Sequence, residues 1–134
     1  MALKQNKQVA GRYERERNIL HLWFPQTVSL DNPRAVATFF DEVVEDWINK
    51  TPGTFYLLVN YSNLHISPKQ AEAYAENIGR FQPRLLGTFR YQVSKDFTGV
   101  AVSLGNIRHH AAANIFPDEA SARKAIAQLQ AERR

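Results

Sequence analysis

The chain has 134 residues, a typical size for one folded domain; 44% of them are hydrophobic and 22% are charged. This balance excludes a disordered chain, and the lack of cysteine excludes disulfides, thiolate nucleophiles and cysteine-ligated metals. No apolar run is long enough for a signal peptide or a membrane span, so we expect a cytoplasmic protein. The net charge of +4 is a weak bias that does not favour nucleic acid as the partner.

The first half of the chain predicts a hairpin, a long helix and a central strand. Residues 9–15 and 19–24 read as two strands, and residues 1–7 as a flexible arm of the single domain 1–134. Residues 31–33 supply a capping side chain followed by proline, which predicts the start of a helix. Apolar residues then recur every three or four positions from Val36 to Ile48, and residues 51–53, Thr-Pro-Gly, end the helix. Residues 54–59 are continuously apolar, which predicts a central strand with helices on both faces.

The second half continues the alternation of helices and strands. Ser67 and Gln70 have the spacing of a capping box and predict a helix that ends at Gly79. Residues 88–93 alternate between apolar and polar, so this strand is expected near the edge of the sheet with one partly wet face.

Beyond residue 93 the pattern is less regular. Residues 96–104 fit a helix or a strand, residues 111–116 fit a short strand, and Asp118 begins a last helix. The predicted order is ββαβαβαβα, an α/β fold with a mixed sheet of about five strands and helices packed against it.

Two segments carry a resemblance to a known family. Residues 56–67, Tyr-Leu-Leu-Val-Asn-Tyr-Ser-Asn-Leu-His-Ile-Ser, lead into a helix, and residues 115–120, Ile-Phe-Pro-Asp-Glu-Ala, open the last one. With the element order, this pattern resembles the STAS/SpoIIAA-like family over about residues 8–131. The resemblance implies a non-catalytic regulatory or protein-interaction module, although some members bind nucleotides or hydrophobic ligands.

One branch of that family, the anti-sigma-factor antagonists, carries a phosphorylated serine in an Asp-Ser-Ser-Gly-like motif. That cluster is absent here, and Ser67 is the nearest serine at the start of a helix. A phosphate there would be stabilised by free N–H groups, but capping is the simpler role for Ser67.

The residues themselves predict no catalytic site, cofactor or metal site. His109 and His110 are adjacent, so their side chains diverge and are poorly placed to share a metal, while His21 falls within a strand. The carboxylates between residues 41 and 46 lie off the apolar stripe of their helix and indicate a solvated face. No phosphate-binding glycine loop and no nucleophile elbow is present.

The loop after the central strand is the predicted binding surface, because such loops collect ligands in α/β folds. Its residues are Asn60, Tyr61, Asn63, His65, Ile66, Ser67 and Lys69. They would offer a protein partner aromatic, polar and apolar contacts. The alternative function is a carrier or sensor of a small hydrophobic or amphipathic, lipid-like ligand in a pocket between helix and sheet, since 11% of the chain is aromatic.

A second candidate surface is an anion-binding patch. It would form if four arginines converged beside aromatic rings: Arg80, Arg84, Arg90 and Arg108. An exposed edge strand and many aromatic residues also favour a homodimer.

Overall fold

In the computed structural model, residues 8–93 and 114–132 are described, and they form a mixed α/β fold. The strands are β1 (Ala10–Glu14), β2 (Ile19–Trp23), β3 (Val28–Leu30), β4 (Phe55–Asn60), β5 (Leu64–Ile66), β6 (Leu85–Tyr91) and β7 (Asn114–Phe116). The helices are α1 (Pro33–Glu42), α2 (Ala71–Ile78) and α3 (Glu119–Glu132). A π-helical segment, Val43–Ile48, continues α1, and 3-10 turns cover Pro68–Gln70 and Gln82–Arg84.

The main sheet has five strands in the order β1-β2-β4-β6-β7. Strand β1 pairs antiparallel with β2, and the other neighbours in the sheet are parallel. Strands β3 and β5 form a separate parallel pair. The predicted mixed sheet of about five strands is therefore confirmed, while the short pair β3 and β5 was not foreseen.

Helix α1 begins where the sequence predicted and for the predicted reason. Of the two possible caps it uses Asn32, whose Oδ1 accepts a hydrogen bond from the Ala35 N–H at 2.8 Å, and Pro33 occupies the first turn. The apolar stripe of α1 buries Val36, Phe39 and Phe40. This stripe packs the helix onto the sheet.

The two faces of the sheet carry separate cores. On β4, Leu57 and Val59 pack with residues of α1 and α2, whereas Tyr56 and Leu58 pack with Ala122 and other residues of α3. This is the alternation of side chains along a strand that is covered on both faces. The expectation that helices lie on both sides of the sheet is confirmed.

Two local predictions are wrong. Ser67 makes no side-chain capping bond, because a 3-10 turn separates it from α2, and Gln70 is buried rather than reaching back to it. Strand β6 lies beside the edge strand β7, but its polar residue Arg90 is buried together with Phe89 and Tyr91, so the predicted partly wet face is wrong at Arg90. Gln92, the other polar position, is exposed beyond the end of the strand. Period-two alternation does not distinguish a solvated polar side chain from one buried under a helix.

Several predictions fall outside the described residues: the N-terminal arm, the helix or strand at residues 96–104, the start of the strand at 111–116, and Arg108, His109 and His110. Within the described part of the chain, no helix has the length and apolar character needed to span a bilayer.

Candidate functional sites

The segment predicted as a binding loop contains a strand instead. Residues Leu64–Ile66 form β5, so Leu64 and Ile66 face the core and His65 between them faces outward. Tyr61 is also in the core, with 3% of its surface exposed. The expectation that Tyr61 and Ile66 are exposed on a loop is therefore wrong, because strand alternation turns them inward.

The outward-facing residues of this segment border a concave surface. It lies at the carboxyl ends of β3 and β5 and has a volume of about 400 Å³. We call it the β3–β5 hollow, and it is lined by Ser29, Leu30, Asp31, His65, Ile66, Ser67 and Pro68. Of the seven predicted binding residues, the structure brings His65, Ile66 and Ser67 together here.

The other predicted residues of the segment support its shape. The Nδ2 of Asn63 donates to the carbonyl oxygen of Phe24 at 2.7 Å, and Oδ1 of Asn60 accepts from the Ser62 N–H at 2.9 Å. These bonds hold the turn between β4 and β5. Lys69 is exposed on the 3-10 turn that follows.

The described arginines of the predicted anion patch make separate contacts. Arg80 pairs with Asp41 at 3.2 Å, and Arg84 donates to the carbonyl oxygens of Gly53 and Thr51. Arg90 is 4% exposed and cannot contribute to a surface patch. A patch that includes Arg80 and Arg84 stays a prediction.

Arg90 forms a buried arginine cluster with Tyr61 and Tyr74. Its Nε donates to the Tyr61 hydroxyl at 3.1 Å, its guanidinium lies 5.9 Å from the centre of the Tyr61 ring, and the two tyrosine hydroxyls are hydrogen-bonded to each other. Burial raises the pKa of Tyr74 well above its ordinary value, so its phenol is neutral, and cation–π attraction from the Tyr61 ring stabilises the charge of Arg90. The adjoining apolar cavity has a volume of only about 30 Å³, which holds one or two waters.

A second hollow lies on the opposite face of the sheet, beside the start of α3. We call it the α3 pocket; its volume is about 320 Å³. It is lined by Arg12, His21, Trp23, Asn60, Tyr91 and Glu119. Both Asn60 and Tyr91 stand at the carboxyl ends of parallel strands, the usual position of ligand sites in α/β sheets.

A hydrogen-bond network forms one wall of the α3 pocket. The Tyr91 hydroxyl donates to Oε1 of Glu119 at 3.4 Å and lies 2.7 Å from Nε2 of His21. The guanidinium of Arg123 can only donate, so a hydrogen bond from it to Nδ1 of His21 leaves the ring proton on Nε2, which then donates to Tyr91. The distance from Nη2 of Arg123 to Nδ1 of His21 is 3.5 Å.

Arg123 connects this network to the edge of the sheet. It donates to both carboxylate oxygens of Glu14 on β1, at 2.8 and 2.6 Å, and through Nε to Oε2 of Glu119 at 2.8 Å. These hydrogen bonds lower the pKa values of both carboxyl groups. Burial lowers the pKa of His21, and burial together with Glu119 raises that of Tyr91 to about 12. At neutral pH the network therefore holds two carboxylates, a neutral histidine and a neutral tyrosine.

Sequence reasoning missed the α3 pocket, apart from Asn60. Its lining comes from β1, β2, β4, β6 and α3, and only the strand order of the sheet brings these elements together. The available signal was a histidine in an otherwise apolar strand, followed by a polar residue at the end of the next long strand. Among the described residues, no three histidine or acidic side chains are grouped so that they could hold a metal ion.

Comparisons with known proteins add little to this description. No family model matches the chain, and no curated protein matches it. A solved structure described as the overall structure of SLC26A9 is similar at a TM-score of 0.48 and 13% identity, over 86% of this chain and 21% of that one. The chain thus spans about a fifth of the length of that protein, and no family is assigned from this likeness.

Proposed function

We propose that the chain is a non-catalytic regulatory or protein-interaction module of the STAS/SpoIIAA-like type, and that the β3–β5 hollow is its contact surface. The observation that carries this proposal is the exposed His65 at the rim of a concave surface built on paired strands. His65 stands beside Ser29 in the register of β3 and β5, and both side chains are exposed. A strand-mounted site needs little ordering when a partner binds.

The rigidity of the hollow comes from the residues beneath it. Val28 and Leu30 on β3, with Leu64 and Ile66 on β5, are each at most 3% exposed and belong to the core packed under α1. The backbone that carries the outward-facing residues therefore cannot move without disturbing that core.

The chemistry of the hollow favours a basic side chain from the partner. Asp31 is the one carboxylate in its lining, and it is exposed. The hydroxyls of Ser29 and Ser67 and the imidazole of His65 complete a set of hydrogen-bonding groups around it. An arginine or lysine of a partner protein can pair with Asp31 while its stem packs against Pro68.

Site-specific photo-cross-linking tests this function. A benzophenone amino acid at position 65 is expected to capture a defined protein in cells, whereas the same group at the exposed Lys50, outside the hollow, does not. Asp31→Asn should weaken the capture at position 65, because it removes the charge offered to the basic side chain. Identical products from positions 65 and 50, or capture unaffected by Asp31→Asn, would contradict the proposal.

The alternative, a carrier of a hydrophobic ligand, has less support. Between the sheet and helices α1 and α2, the described residues leave a cavity of about 30 Å³, whereas pockets for drug-sized ligands begin at about 300 Å³. A native mass spectrum of the gently purified protein tests this alternative, since a bound lipid adds its mass. The same spectrum tests the predicted homodimer.

A further inference from the structure

We propose that the α3 pocket binds a small zwitterion of the size of a dipeptide, with its carboxylate on Arg12 and its ammonium group on Glu119. This site is separate from the β3–β5 hollow and does not depend on the function proposed for it. None of the residues that line one of these two surfaces lines the other.

The two charges come from different elements of the pocket lining. Arg12 lies on β1, where it pairs in register with His21 of β2, whereas Glu119 contacts Tyr91 of β6. Both are described residues that line the pocket, and Arg12 and Glu119 do not form an ion pair with each other. The pocket volume of about 320 Å³ leaves room between them for a ligand of the size of a dipeptide.

Arg12, rather than Arg123, is the group available for a carboxylate. Arg123 already donates to three carboxylate oxygens, two of Glu14 and one of Glu119. Arg12 is exposed and makes no ion pair with any residue in the described ranges 8–93 and 114–132. A guanidinium in this position can bind a carboxylate through two parallel N–H bonds.

Glu119 keeps the capacity to accept from an ammonium group. Its Oε2 is used by Arg123, but Oε1 has only the long 3.4 Å bond from Tyr91, and the side chain is 45% exposed. The bond to Arg123 keeps the carboxyl group ionised and directs it toward the pocket. An ammonium group that approaches Oε1 would therefore meet a preorganised acceptor.

The middle of the pocket suits a neutral amide with an apolar neighbour. Oδ1 of Asn60 accepts from the Ser62 N–H, and its Nδ2 donates to the Tyr91 hydroxyl, which leaves the second N–H of Nδ2 for a ligand carbonyl. Trp23 is half-buried and offers part of its ring as an apolar surface. A peptide bond and one apolar side chain match these two groups.

The charge balance also favours a ligand without net charge. Around the pocket, Arg12 and Arg123 are offset by Glu14 and Glu119, while His21 is neutral. Because these charges sum to zero, a net anion or a net cation gains no overall electrostatic attraction from the pocket. A zwitterion places each of its charges beside one of opposite sign.

Three matched probes test the proposal by two-dimensional 1H–15N NMR titration. They are L-alanyl-L-phenylalanine, its N-acetyl derivative, which lacks the ammonium group, and its C-terminal amide, which lacks the carboxylate. The dipeptide should shift the indole N–H signal of Trp23 and the side-chain amide signals of Asn60. Each derivative should bind about tenfold more weakly, because each loses one charge-assisted hydrogen bond.

Arg12→Gln identifies the carboxylate partner. This substitution should weaken binding of the dipeptide about tenfold. It should leave binding of the C-terminal amide unchanged, since that probe has no carboxylate for Arg12 to bind. Arg15→Gln, at an exposed arginine in the turn after β1, is the matched control and should change neither. Cross-linking at position 65 should be insensitive to Arg12→Gln, so failure here is distinguishable from failure of the partner surface.

Several outcomes would overturn the assignment. Equal binding of all three probes would show that neither charge is recognised. Binding of the N-acetyl derivative as tight as that of the dipeptide would reduce the pocket to an anion site. If signals shift but those of Trp23 and Asn60 do not, the probe binds elsewhere on the protein. If no signal shifts at millimolar probe, the pocket does not bind this class of ligand.

Discussion

Replacement of Glu14 by glutamine should lower the free energy of unfolding by about 2 kcal/mol, the typical value of a hydrogen-bonded charge pair that is largely shielded from water. Both oxygens of Glu14 accept from Arg123, and the side chains are only 15% and 24% exposed. Glutamine keeps one acceptor but loses the charge and the second acceptor. Arg123 then retains a single carboxylate partner, Glu119.

Urea unfolding followed by circular dichroism measures this effect. With an m-value of about 2 kcal/mol/M, the midpoint of Glu14→Gln should fall by about 1 M while the slope stays constant. The double-mutant cycle with Arg123→Gln should give a coupling energy of about 1.5 kcal/mol.

An exposed pair in the same protein supplies the control. Arg80 and Asp41 are 3.2 Å apart with side chains 42% and 57% exposed, and their coupling energy should be below about 0.5 kcal/mol. If the Glu14–Arg123 coupling is no larger than that of Arg80–Asp41, the reasoning from burial and two-bond geometry is refuted.

Three further predictions concern other parts of the fold. Burial lowers the pKa of His21 from the ordinary value of 6.5. As the pH falls, this imidazole is therefore protonated in the unfolded chain before it is protonated in the folded protein. Stability should therefore be lost as the pH falls below 6.5, and His21→Gln should flatten that part of a stability-against-pH curve; an equal slope in both proteins argues against a buried neutral imidazole. Gly11→Ala should destabilise by about 1–3 kcal/mol in thermal or urea unfolding, because a Cβ would lie 2.8 Å from the carbonyl oxygen of His21 and 2.5 Å from Leu22. Asn32→Ala should cost about 1 kcal/mol through loss of the cap on α1, whereas the neighbouring Asp31→Ala should cost much less; equal costs would mean that the cap is not Asn32 alone.

The sequence predicted those elements whose signals are long or chemically specific. The ten-residue stripe of α1 with its asparagine and proline, and the apolar run of β4, leave few alternatives. Strands β3 and β5 have three residues each, too few for a period to be recognised. Their omission made the segment after β4 look like a loop, and this is why Tyr61 and Ile66 were expected on the surface.

The sites were predicted less well, because they depend on distant contacts. In the sequence, Arg90 occupies a polar position of an alternating strand, which is typical of a solvent-facing side chain. In the fold it is buried on the side of α1 and α2, beside Tyr61 and Tyr74. The α3 pocket joins Arg12 of β1 and Glu119 of α3, which lie near opposite ends of the described chain and meet only once the mixed sheet has formed. Local patterns contain no information about such pairings.

The position of α3 along the chain affects how the protein can fold during synthesis. The sheet face formed by Ile19, Tyr56, Leu58 and Phe89 is covered by Ala122 and Ile126 of this last helix. A nascent chain that has already paired β1, β2, β4 and β6 therefore exposes an apolar face until residues 119–132 have left the ribosome. We expect this intermediate to be the species recognised by chaperones, and the one that aggregates when translation stalls late.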